Sequence, residues 1–361
     1  MRVGVRLEPA GEGEWEAAAT FAVEAERLGV DSVWSSEAWG FDAVSPLAFL
    51  AARTRRLRLG TAIMQVGART PAMVAMTALT MRSLTGGRFT LGLGSSGPQV
   101  MEGWHGVPFD RPVRRTRELI EVVRLVARGE RLEHEGEVHR LPLPGGIGRA
   151  LRSSAPPGEV PIYVAALGPR NLEMTGELAD GWIGGSFVPE SAEVFLRHLR
   201  AGAARSGRTL EALDLMVPVA LELGDELEEI ATRHARGYAF TFGAMGSANE
   251  NFYVEAFARQ GFGEHVRDVQ RLWLEGKREE AAARVPVELA LRTNLLGPDG
   301  MVRERLRAYR AAGVTTLCVS ARGSSSEERL HGLARLLALV REVEAEPPPL
   351  LVHAPREESR G

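Results

Sequence analysis

The sequence predicts an α/β fold, a closed (β/α)8 TIM barrel with an insertion after the fourth unit. Three observations predict it: eight short β-rich runs, helical patterns between nearly all of them, and no half-repeat marking two open sheets. In such barrels the site is built from loops at the C-terminal strand ends. The segments that follow the strands are therefore where chemistry is sought.

The first strand is Arg2–Leu7, and the helix Trp15–Leu28 carries apolar residues at helical spacing and stops at Gly29. Ser32–Ser35 is the second strand, Pro46–Ala52 a short helix, and Leu57–Ile63 the third strand. Pro71 suits a first helical turn because its missing N–H costs nothing there, and Met73–Leu84 continue as a helix. Phe89–Leu93 is the fourth strand, and Val113–Ala127 the helix that completes its unit. Residues 130–160 interrupt the rhythm: Leu132–Leu141 read as a hairpin turning at Glu135–Gly136, and Pro142–Pro161 are aperiodic and rich in Gly, Pro and Ser. Alternation resumes with the strand Pro161–Ala165, the helix Asn171–Ala179, the strand Trp182–Gly184, the helix Glu190–Arg205 and the strand Leu213–Leu221. A long helical region covers Glu226–Arg284, then come the helix Val302–Ala312, the strand Thr315–Ser320 and the helix Ser326–Glu344. One domain thus spans residues 1–346, and the Pro-rich, charged residues 347–361 read as a disordered tail.

The chain has 361 residues, enough for one large barrel, and a net charge of −3, which gives no basic excess for nucleic acid. There is no apolar run of membrane-spanning length and no charged leader, so a cytoplasmic protein that neither enters a membrane nor binds nucleic acid is expected. The single cysteine, Cys318, lies in an apolar strand and reads as core rather than nucleophile. The scattered histidines form no H-E-x-x-H, and no metal site is expected.

Gly92–Gly97, in "RFTLGLGSSGPQVMEGWHG", match the dinucleotide fingerprint G-x-G-x-x-G. That motif needs a helix opening on its last glycine, and here Pro98, Gly103, Gly106 and Pro108 argue against a helix before Pro112. In a barrel the same stretch leaves the fourth strand at the catalytic face. There Gly94, Ser95 and Ser96 would line a flat cofactor beside Ala62–Ile63, because neighbouring strands share one wall of the mouth. After the third strand, Ala62–Gly67 carry little charge and suit a wall against an apolar ring. After the fifth, Ala165–Asn171 deliver a small-residue turn to a helix N-terminus, and Gly184–Gly185 follow the sixth. Together these are candidates for a phosphate seat. Apolar walls, a phosphate seat and no metal suit a flavin-like cofactor, which carries the redox chemistry itself.

The stretches "SSEAWGFDAVSPL", "LGTAIMQVGARTPAMVAM", "GGRFTLGLGSSGPQVMEGWHGVPFDRP", "LPLPGGIG" and "PIYVAALGPRNLEMTGELADGW" occupy five loops in order. Through them the chain resembles the bacterial luciferase-like superfamily, in its branch that uses the deazaflavin coenzyme F420. The resemblance implies a homodimer, a small-molecule substrate, a phosphorylated deazaflavin in the barrel mouth, and a non-proline cis peptide at Ala62–Ile63 with Gln65 near the ring edge. It puts the phosphate on Leu167, Gly168 and Pro169, with Gly184 and Gly185 nearby, and makes Glu37 a cofactor contact. Sugar-phosphate dehydrogenases of the superfamily use a His and a Glu where this chain has Ala38 and Gly97, which speaks against that substrate. The expected activity is F420-dependent oxidoreduction by hydride transfer at deazaflavin C5. Glu37 leads as proton donor, with Glu102 and His105 behind it. The alternatives are an FMN-dependent monooxygenase and a non-catalytic cofactor-binding barrel.

Overall fold

The structure, a computed structural model, describes residues 1–8, 11–245 and 251–347; residues 348–361 of the expected tail lie outside that range. In chain order the strands are β1 (Arg2–Arg6), β2 (Ser32–Ser35), β3 (Arg58–Thr61), β4 (Met64–Gln65), β5 (Phe89–Gly94), β6 (His134–Glu135), β7 (Arg140–Leu141), β8 (Ile162–Ala165), β9 (Gly181–Ile183), β10 (Asp214–Leu223), β11 (Leu295–Gly297) and β12 (Thr316–Ala321). Eight of them, β1, β2, β3, β5, β8, β9, β10 and β12, close a parallel ring in that order, with β12 returning to β1. The expected barrel is the observed one.

Two additions were not expected. Strand β4 resumes pairing with β5 after a break in the third strand. Strand β11 pairs with Leu221–Leu223, above the point where β10 leaves β9. The helix Trp15–Leu28 forms where periodicity placed it, burying Ala19, Ala22 and Ala25 against the barrel. It ends at Gly29, whose φ of 99° is a left-handed conformation that glycine adopts without a Cβ clash. The insertion contains the expected hairpin, β6 on β7, but its turn runs from Gly136 to His139. The buried carboxylate of Glu118 holds that turn by accepting the N–H groups of Glu137, Val138 and His139 at 2.9, 3.0 and 2.8 Å. The long helical region resolves into Leu227–Gly243, Phe252–Phe257, Gly263–Leu274, Arg278–Arg284 and Val287–Thr293, which enclose an apolar cluster of their own. No helix among the described residues is long and apolar enough to cross a membrane.

Inside the ring, Trp34, Tyr163, Ile183, Met216 and Cys318 form a packed floor, with the Trp34 and Tyr163 rings 5.6 Å apart. A Cβ on Gly60 would lie 2.2 Å from the Trp34 ring, so glycine is what gives the indole its room. Below the floor, Asp214 is ringed by Tyr163, Thr315, Thr316, Arg2 and Arg58. Burial works to raise its pKa, but these donors outweigh burial and hold it below the ordinary carboxylate value. The N-terminal end of the barrel is therefore plugged, and only the C-terminal end is open.

Candidate functional site

Strand alternation sorts side chains into lumen and helix-facing sets. On β1 and β2 the lumen set is Gly4 and Arg6, Trp34 and, just beyond the strand, Ser36; on β10 and β12 it is Met216, Pro218 and Ala220, Cys318 and Ser320. Pro218 is exposed while its neighbours Val217 and Val219 are buried, which shows the lumen open above the floor. Cys318 is buried in that floor, and burial raises its thiol to about 12, a core cysteine in agreement with the sequence reading.

One wall of the mouth is made by β3 and β5. The Ala62–Ile63 peptide is cis. Thr61 Oγ1 accepts the Gly92 N–H at 2.8 Å and donates to the Gly92 carbonyl at 2.7 Å. A Cβ on Gly92 would fall 1.8 Å from the Thr61 carbonyl oxygen, and one on Gly94 would fall 2.8 Å from Ile63 Cγ1. The opening glycines of "GLGSSG" thus lie in β5 itself and admit the bulged neighbouring strand; no pyrophosphate is needed to explain them. Gly94 lies against Ile63, and Ser95 lines a small cleft with Val66, Gly67 and Met101. One expectation is corrected: a one-turn helix, Pro98–Met101, follows Gly97, because Pro98 fits a first turn as readily as it interrupts a longer helix.

Glu37 lies just beyond β2, and its side chain is largely buried. Its two oxygens take the Arg69 guanidinium as a fork at 2.6 and 2.9 Å, the Gln65 N–H at 2.9 Å and the Ala43 N–H at 3.1 Å. This carboxylate, expected at a proton or a cofactor, ties the loop after β2 to the loop after β4. The Gln65 side chain is buried; its amide donates to the Ala38 carbonyl at 2.9 Å and its Oε1 lies 2.6 Å from His105 Nε2. Since that oxygen can only accept, His105 donates to it through Nε2, and Nδ1 has no hydrogen-bond partner among the described residues. His105, Gln65, Glu37, Phe41 and Trp104 line a cleft of about 210 Å³ at the mouth's edge. Glu102 is exposed outside that cleft, and its Oε1 accepts the Phe109 N–H at 3.1 Å.

On the β8–β9 side, the helix Pro169–Leu178 begins at Gly168 without a side-chain cap. A helix start of this kind leaves backbone N–H groups without intrahelical partners, and a Cβ on Gly168 would meet nothing within 4 Å. Gly184 stays tied to the barrel through its N–H on the Met216 carbonyl at 2.8 Å, and Gly185 and Ser186 are half-buried. Sequence reasoning missed Arg259 here. It comes from the long helical region, donates to the Leu167 carbonyl at 2.6 Å, and keeps a buried Nε with no partner among the described residues. Burial lowers its pKa from the ordinary arginine value. No local motif marks it, since the residue it meets is 92 positions away. Among the described residues, no group of three or more His, Cys, Asp and Glu could hold a metal ion.

A profile of the luciferase-like monooxygenase family matches residues 1–316. A Mycobacterium tuberculosis protein with a provisional coenzyme F420-dependent oxidoreductase name is 37% identical over 346 residues, 93% of this chain and 99% of its own. The 5,10-methylenetetrahydromethanopterin reductase of Archaeoglobus fulgidus is 26% identical over 292 residues, 81% of this chain and 85% of its own. Among solved structures, the coenzyme F420-dependent tetrahydromethanopterin reductase from Methanopyrus kandleri matches with a TM-score of 0.75 at 20% identity, covering 92% of this chain and 97% of that one, a likeness of fold.

Proposed function

The chain belongs to the luciferase-like monooxygenase family, and on that premise we propose that it is a coenzyme F420-dependent oxidoreductase acting on a small organic substrate. Its full-length kinship with a protein named for F420 supports deazaflavin over FMN. The observation that carries a phosphorylated cofactor is Arg259: a buried guanidinium nitrogen without a partner, beside an uncapped helix N-terminus. The phosphodiester of a bound deazaflavin coenzyme would satisfy both.

Bound deazaflavin would supply or accept the hydride at C5. This chain's residues would do the rest. Leu167, Gly168 and Pro169 with Arg259 would seat the phosphate, and Gly184 and Gly185 would leave it room. Ala62, Ile63 and Gly94 would back the ring, with Ser95 and Ser96 along its edge. Glu37 would hold the wall rigid through Arg69 and the Gln65 N–H, and Gln65 would fix His105. Proton exchange would then pass through the free Nδ1 of His105, and Glu102 would keep the Trp104–Phe109 loop in place. For the expected homodimer, a second copy would cover the exposed Met73, Met76 and Leu84 of the helix Pro71–Thr85.

Fluorescence titration of the purified protein tests the cofactor. F420 should bind with a Kd on the order of micromolar or below, and FMN more weakly. Preference for FMN would turn the reading into a monooxygenase. Binding of neither would defeat both redox readings.

A further inference from the structure

Arg6 is the last residue of β1 and rises from the floor on the lumen face. Gly4, two residues below it, would place a Cβ against Ser32 and Trp34 inside the ring. The Arg6 side chain is exposed and, among the described residues, makes one hydrogen bond, to Ser36 Oγ at 3.4 Å. Among the described residues it has no carboxylate within ion-pair distance, and Glu8, next along the same face, forms no ion pair with it. The other acids on the lumen side are engaged: Glu222 takes Arg233 at 2.5 Å and His234 at 2.7 Å, and Asp214 is ringed below the floor.

Its place in the ring sets it apart from the cofactor contacts. The ring wall is β3–β5 and the phosphate seat is β8–β9, whereas β1 lies between β12 and β2, four strands from β8. On this arc Pro218, Ala220 and Ser320, the lumen residues just above the floor, are small and uncharged. Arg6 is close enough to Tyr253, a phenol from the helical segment, for its charge to act there against the effect of burial.

We propose that Arg6 recognises a carboxylate on the substrate, so that the substrate class is an organic acid whose apolar body lies along Pro218, Ala220 and Ser320. This rests on the cofactor reading above, which assigns the opposite wall to the deazaflavin. A guanidinium fork matches the two oxygens of a carboxylate, and a substrate whose apolar body covers the exposed Arg6 would strengthen that pairing over its value in water.

The probes are 3-phenylpropanoate and 3-phenylpropanamide, titrated calorimetrically into F420-loaded protein. The acid should bind at least about tenfold more tightly than the amide, the scale of one charged hydrogen bond. Arg6→Gln should bring the two affinities together, with the F420 Kd and the melting temperature unchanged. Arg6→Lys should keep part of the preference, since charge stays and the fork is lost. Equal binding of acid and amide by the wild type, or a preference that survives Arg6→Gln, overturns the proposal. So does an Arg6→Gln protein that loses F420 instead. A wild type that takes up no F420 defeats the cofactor reading alone, because the acid-to-amide ratio on the same sample still decides Arg6.

Discussion

Arg69→Met isolates the clamp between the loops after β2 and β4. The Glu37 carboxylate is 7% exposed and Arg69 is 23% exposed. Removing the guanidinium breaks bonds of 2.6 and 2.9 Å and leaves the carboxylate only the Gln65 and Ala43 N–H groups. Stranding one member of a fully buried pair costs about 3–5 kcal/mol. The two retained donors and the partial exposure of Arg69 bring that down to roughly 2–3 kcal/mol. With an unfolding entropy of about 2.1 cal/mol/K per residue, the 361 residues give roughly 0.76 kcal/mol/K, so the Tm should drop by about 3–4 °C. Thermal unfolding followed by circular dichroism measures this. The double variant Glu37→Gln/Arg69→Met should recover part of the loss, giving a coupling of at least about 1 kcal/mol in the cycle. A coupling below about 0.5 kcal/mol would refute the clamp, because the pair would then behave as a solvent-screened bridge. Glu37 would in that case be free for proton transfer.

Gly168→Asp should weaken cofactor binding by about 1–3 kcal/mol through like-charge repulsion at the phosphate seat. The apo melting temperature should not change, because the new Cβ meets nothing; unaltered affinity would move the phosphate elsewhere. His234 and His139 both have pKa values lowered from the ordinary 6.5, by burial first, with Glu222 pulling His234 the other way and Arg115 adding to the effect at His139. The unfolded chain therefore takes up these protons first, so the stability they contribute is complete above about pH 6.5 and is lost as the pH falls below it. Melting temperatures at pH 7.5 and 5.5 should differ less in His139→Gln/His234→Gln than in the wild type; an equal drop would exclude these two groups as its source. Met76→Glu, on the exposed apolar face of Pro71–Thr85, should convert a dimer to a monomer by light scattering, and an unchanged mass would place the contact elsewhere.

The ring of eight strands was legible because each strand repeats the same local pattern, and β2 and the helix Trp15–Leu28 match their sequence-derived ends to the residue. Strand β11 was not legible. Three residues carry no alternation, and it exists only because β10 outgrows β9 and leaves donors and acceptors to pair. The one-turn helix after Gly97 escaped because breakers that stop a long helix are tolerated in a single turn. In the site, turns and small residues could be read locally, which is how Gly94, Gly168 and Gly185 came to notice. Charge partnerships could not. Glu37 looks like a free loop acid until Arg69, 32 residues on, is folded against it, and Arg259 meets Leu167 only through the fold.

Strand β10 is ten residues long and changes neighbours partway, from β9 below to β11 above. Because β11 is the last piece of the helical segment 227–297, that segment is fastened to the barrel by main-chain hydrogen bonds rather than by side chains alone. Side chains of the segment other than Arg259, Gln260 and Asn294, which bond to the barrel backbone, can be exchanged without loosening that main-chain attachment, and the β3–β5 wall, built from residues 58–94, does not take part. Arg259 apart, that region can therefore drift while the β3–β5 wall stays as it is. A barrel spliced in this way can remodel most of one rim without rebuilding the ring that carries it.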